Sequence, residues 1–176
     1  MEQKKQNPIQ VTVRFRKTIN HSQLHMLMNE AIKLYNREIC DEFEKKSFFA
    51  KLFTFPKLYY VNSKLTKYCS KDGKAPMKLL NEILLDPKAF PDAQYETRYR
   101  IYIYSSSADF YFAIMPGVAR DRKSRATIRG NEFVRTVTII GNIESNKNRE
   151  SKQKEFLDRF VPILNNVDRI LNGKKD

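Results

Sequence analysis

The chemistry this sequence repeats is that of arginine, lysine and tyrosine. Between positions 120 and 129 stand Arg120, Arg122, Lys123, Arg125 and Arg129 against one acid, Asp121. A guanidinium is a planar fork of donors that fits phosphate oxygens and the edge of guanine, so clustered arginine points to a polyanion. Gly117 and Gly130 flank the run, which reads as a flexible basic arm on a loop. In the stretch TRYRIYIY, Arg98, Arg100, Tyr102 and Tyr104 alternate with Tyr99, Ile101 and Ile103. Strand side chains alternate between two faces, which puts arginine and tyrosine on one side and apolar residues on the other. Arginine there suits phosphates, and tyrosine rings suit stacking on unpaired bases. Tyr111 joins Tyr102 and Tyr104 if the hairpin register carries it across the turn.

Other chemistries find less support. His21 and His25 are four apart, a spacing that holds two rings on one side of a helix, and Cys40 and Cys69 would complete a set of four metal donors. Neither cysteine has the close paired spacing of a structural zinc site, and HSQLH lacks the glutamate of a zinc protease helix. No metal is expected, and the histidines read as an exposed pair. Asp41, Glu42 and Glu44 form the densest acidic cluster and read as a solvated helix face. Phosphate-cradling glycine loops, dinucleotide fingerprints and nucleophile elbows are missing, so no cofactor is expected. Asp109, Asp121 and Glu132 would serve a metal-dependent nuclease if they converged near the hairpin end.

The elements that must position these groups follow from periodicity. IQVTVRFRK, from Ile9 to Lys17, alternates Ile9, Val11, Val13 and Phe15 with Gln10, Thr12, Arg14 and Arg16, predicting a first strand. Its arginines and those of the hairpin then lie on one face of one sheet. Asn20 and Gln23 have the spacing of a capping box, and Leu24, Leu27, Met28, Ala31, Leu34, Tyr35 and Ile39 predict a long helix to about Lys46. The run FFAKLFTFPKLYY is predicted to pack between helices. Pro56 suits the first turn of a second helix with the stripe Leu58, Val61, Leu65 and Tyr68, which would make a ridge of Lys57, Lys64 and Lys71. Pro76 is read as starting a short third helix through Met77, Leu80, Ile83 and Leu84, and these two helices make a side lobe. FVRTVTII, Phe133 to Ile140, predicts a fourth strand. Phe156, Phe160, Ile163, Leu164, Val167, Ile170 and Leu171 predict a C-terminal helix that Pro162 kinks or divides.

The chain of 176 residues fits a single domain, 1–176, and reads as α+β: an antiparallel sheet of about four strands with the long N- and C-terminal helices on its apolar face. With 33 Lys plus Arg against 20 Asp plus Glu, the net charge of +13 favours a polyanionic partner. No apolar run is long enough to span a bilayer, and MEQKKQNP lacks the core of a signal peptide, so a cytoplasmic protein with reduced cysteines is expected. The preferred function is non-enzymatic RNA or DNA binding, through the arm, through Arg14, Arg16, Arg98, Arg100, Tyr102 and Tyr104 on the sheet, and through Lys57, Lys64 and Lys71. RNA or single strands are favoured, because no helix combines clustered arginine with asparagine or glutamine as a duplex-reading helix would. The alternatives are a module that docks on an acidic protein partner, and the nuclease.

Overall fold

The computed structural model describes residues 8–70, 72, 74, 78–79, 93–106, 110–118, 134–142 and 147–173. Along the chain these form β1 (Gln10–Ile19), α1 (His21–Glu44), α2 (Phe48–Phe53), β2 (Tyr59–Ser70), β3 (Lys78–Leu79), β4 (Gln94–Ser105), β5 (Tyr111–Val118), β6 (Val134–Gly141) and α3 (Lys147–Asn172). The six strands make one antiparallel sheet in the order β1-β6-β5-β4-β2-β3, the last a two-residue piece. The architecture is α+β, with α1 and α3 sharing one core with the sheet. The four expected strands are all present.

The fifth long strand replaces the expected second helix. Residues 59–70 pair rung by rung with β4, from Tyr59 opposite Ser105 to Ser70 opposite Gln94. Tyr59, Tyr60 and Val61 are strand formers, and a full ladder outweighs the helical spacing of four apolar residues. The lysine ridge therefore does not form: Lys57 precedes β2 and Lys64 lies within it. Met77, Leu80, Ile83 and Leu84, the stripe of the expected third helix, lie outside the described residues, while Lys78 and Leu79 among them pair with Cys69 and Tyr68.

The phenylalanine run is also corrected. α2 buries none of its residues, and Phe48, Phe49, Phe53, Phe55 and Tyr60 are exposed. Only Tyr59 of that stretch enters the core. Aromatic density does not determine which side of a two-turn helix faces the body.

On the inner face of the sheet lie Val13, Phe15, Ile101, Ile103, Phe112, Ile114, Val137 and Ile139, all buried. α1 covers them with Leu24, Leu27, Met28, Ala31, Ile32 and Tyr35, after a capping box in which Gln23 N–H donates to Asn20 Oδ1 at 2.8 Å and Asn20 N–H to Gln23 Oε1 at 2.9 Å. α3 adds Phe156, Leu157, Phe160, Ile163, Leu164 and Val167. Its stripe ends there, because Ile170 and Leu171 are exposed. The helix runs through Pro162 without the expected division; the proline ring stands on the exposed side.

Polar clasps fix the core's borders. The Asn36 amide donates to Tyr59 O at 2.8 Å and accepts from Tyr59 N–H at 3.0 Å, tying α1 to the start of β2. The pairing of β1 with β6 shifts register between Arg14 and Ile19, and there the buried Asp168 accepts Arg16 N–H at 2.9 Å while Asn172 Nδ2 donates to its other oxygen at 2.8 Å. This carboxylate supplies a partner that the strand ladder does not. Asp168→Ala should cost about 1–3 kcal/mol, read as a lower urea midpoint, because a strand donor loses its buried acceptor.

Tyr35 carries a pH dependence of stability. Burial, opposed in part by Arg159 and assisted by Glu155, Glu42 and Glu38, pushes its phenol up to about 12. The unfolded chain releases that proton near pH 10, whereas the folded state retains it. Stability should therefore fall as pH rises from about 10 to about 12, by on the order of 2–3 kcal/mol. Denaturant midpoints measured across that window should lose this slope in Tyr35→Phe.

Candidate nucleic-acid interface

The outer face of the sheet follows from period two. In β4 the inward Ile101, Ile103 and Ser105 are buried, so Arg100, Tyr102 and Tyr104 stand on the other side. β5 repeats this with Phe112 and Ile114 inward and Tyr111, Ala113 and Met115 outward. In β2, Tyr60, Asn62 and Lys64 are exposed.

Register then assembles these side chains into rungs. Tyr104 lies opposite Tyr111 on one side and Tyr60 on the other. Tyr102 lies opposite Ala113 and Asn62, and Arg100 opposite Lys64. The small Ala113 leaves room for the larger neighbours: the Tyr102 and Tyr111 rings meet at 6.0 Å and 76°, Tyr104 and Tyr111 at 5.8 Å and 37°, and Tyr102 and Tyr104 at 5.9 Å and 44°. Three phenol rings thus form one cluster on a sheet surface, with two cations two residues along the strands. Tyr104 remains 37% and Tyr111 39% exposed, enough for a planar ligand to reach them.

The cluster shifts its own titration. Partial burial, then the neighbouring Tyr102 and Tyr111, raise the Tyr104 phenol above its usual range. Like any phenol the ring is neutral at neutral pH, and its hydroxyl can donate to an anion.

Tyr60 and Asn62 were missed by the sequence reading, although the alternation Tyr59, Val61, Ser63 against Tyr60, Asn62, Lys64 signals them once the segment is read as a strand. Arg14 shares the face: it pairs with Thr136 on β6, where Thr138 lies opposite Met115. It sits at the far edge, four strands or about 19 Å from Lys64 at ordinary strand spacing. Arg16 is exposed within the register shift of β1. Arg98 pairs with Thr66 along β4. Lys57 leaves the group, its ammonium lying 6.0 Å from the Phe110 ring centroid before β2 begins. Lys71 and the arm residues Arg120, Arg122, Lys123, Arg125 and Arg129 lie outside the described residues, as do Asp109, Asp121 and Glu132 of the nuclease reading.

The remaining polar clusters are structural in character. Asp41, Glu42 and Glu44 are exposed as expected, with Glu42 meeting Arg159 at 2.9 Å and Glu44 meeting Lys51 at 2.9 Å. The histidines are half-buried rather than exposed; His25 Nε2 lies 2.8 Å from Asn29 Nδ2, and burial lowers the His21 pKa. Among the described residues no three His, Cys, Asp or Glu side chains converge as a metal site, and no helix is long and apolar enough to cross a membrane. No family model, curated protein or solved structure matches the chain.

Proposed function

We propose that this chain is a non-enzymatic, cytoplasmic nucleic-acid-binding protein that lays single-stranded RNA or DNA across its outer sheet face. The observation that carries the reading is the Tyr102, Tyr104 and Tyr111 cluster beside Arg100 and Lys64. Ring faces accept any base by stacking, and the neighbouring cations track the backbone, a combination suited to unpaired strands rather than to the stacked interior of a duplex. The net charge of +13 supplies attraction at longer range. Arg120, Arg122, Lys123, Arg125 and Arg129 follow β5 in the chain and add a second set of phosphate partners in this reading.

Salt titration tests the phosphate half of the proposal. Anisotropy of a labelled single strand should give a linear fall of log affinity with log salt, and Lys64→Ala or Arg100→Ala should each shallow that slope by about 1. Unchanged slopes and affinities in both variants would remove these cations from the interface.

A further inference from the structure

α2 is oriented the wrong way round for a helix in water. Phe48, Phe49, Leu52 and Phe53 occupy one side of its two turns, and their exposures are 71, 75, 55 and 85%. Phe55, just beyond, is 87% exposed. The opposite side, Ala50 and Lys51, is the half-buried one. A surface helix of a globular protein ordinarily turns its apolar stripe to the core.

The display is held in place. Ala50 N–H donates to Ser47 Oγ at 3.4 Å, and Thr54 Oγ1 to Ala50 O at 2.7 Å. Lys51 reaches back to Glu44 at 2.9 Å, and its ammonium lies 6.0 Å from the Phe43 ring centroid. Past the helix, Leu58 N–H donates to Ser106 Oγ at 3.1 Å and Ser106 N–H to Leu58 O at 2.7 Å, which pins the exit to the end of β4.

Charge selects the occupant. Between Lys45 and Tyr60 stand Lys45, Lys46, Lys51 and Lys57 and no acid, while of the acids just before, Glu42 is paired with Arg159 and Glu44 with Lys51. A second copy would bring the same lysines and another net +13 against them. A nucleic acid would stack ring by ring, yet Leu52 in the middle of the stripe has no ring to offer. An anionic bilayer meets both requirements: acyl chains take a protruding apolar stripe of any shape, and acidic headgroups meet the lysines beside it.

We propose that α2 with Phe55, flanked by Lys45, Lys46 and Lys57, is an interfacial anchor that seats the protein on an anionic lipid surface. Two turns of helix insert only to the headgroup and acyl boundary, so the attachment is reversible and needs both the rings and the acidic lipid.

Flotation of the full chain with vesicles tests this. Phosphatidylcholine vesicles containing about 30% phosphatidylserine should carry the protein at low salt, and phosphatidylcholine alone should not. Phe48→Ser with Phe49→Ser and Phe53→Ser alters only exposed side chains, and should reduce the bound fraction at least tenfold while circular dichroism and single-strand affinity stay unchanged. Lys45→Glu with Lys46→Glu should abolish the preference for phosphatidylserine. Tyr104→Ala with Tyr111→Ala should leave flotation unaltered, which separates this proposal from the nucleic-acid reading. Absence of flotation with phosphatidylserine would overturn the anchor, as would flotation indifferent to the phenylalanines. Loss of single-strand affinity in the serine variant would assign the stripe to nucleic acid. Loss of a dimer in sedimentation would assign it to a second copy.

Discussion

Tyr104→Ala combined with Tyr111→Ala should weaken single-strand binding by on the order of 10- to 100-fold, because one stacked base is worth about 1–3 kcal/mol. The two rings lie opposite each other on β4 and β5, with centroids 5.8 Å apart, so removing both erases the centre of the cluster and leaves Tyr102 beside Ala113. Neither ring is part of the core, and the fold should survive the change. The salt slope should stay as in the parent, since no cation is removed. That pattern, affinity lost at constant slope, distinguishes stacking from a general weakening of the basic face. Tyr104→Phe with Tyr111→Phe keeps the ring faces and should retain most of the affinity. Equal losses in the alanine and phenylalanine pairs would instead place the interaction on the hydroxyls.

The second large effect is on stability. Phe156→Ala should destabilise the protein by about 3–5 kcal/mol, as a lowered urea midpoint at unchanged slope. Phe156 is 1% exposed, and its ring stacks on Phe112 at 4.7 Å and on Phe160 at 5.0 Å while touching Tyr59 at 4.4 Å and Tyr35 at 4.9 Å. Those partners come from β5, β2, α1 and α3 itself, so the cavity opens where every layer of the fold meets. Phe156→Leu, which fills most of that space, should recover a good part of the loss.

Much of the scaffold was legible before the structure. β1 and the β4–β5 hairpin carry clean period-two alternation, and the face they predict for Arg14, Arg100, Tyr102 and Tyr104 is the one observed. α1 announced its start through Asn20 and Gln23. β2 was hidden because Leu58, Val61, Leu65 and Tyr68 also fit a helix, and the deciding influence, twelve rungs with a strand about 35 residues later, is not local. Its loss hid the site's third strand, with Tyr60 and Asn62. α2 misled for a different reason: the aromatic density from Phe48 to Tyr60 suggested packing, but it is Ala50 and Lys51, not the phenylalanines, that are half-buried. Arginines on distant strands illustrate a further limit, since a common face does not bring Arg14 on the edge strand β1 near Arg100 on β4, three strands away.

The central proposal is that the outer sheet face takes unpaired strands. Anisotropy of the unaltered full chain against labelled single-stranded and duplex RNA and DNA of matched length, across a salt series, tests that most directly. The tyrosine cluster predicts tighter binding to single strands than to duplexes at every salt concentration, with a steep linear salt slope in both cases. Weak binding to all four, or equal binding to duplex and single strand, would contradict it and return the basic face to a protein partner or to nonspecific attraction.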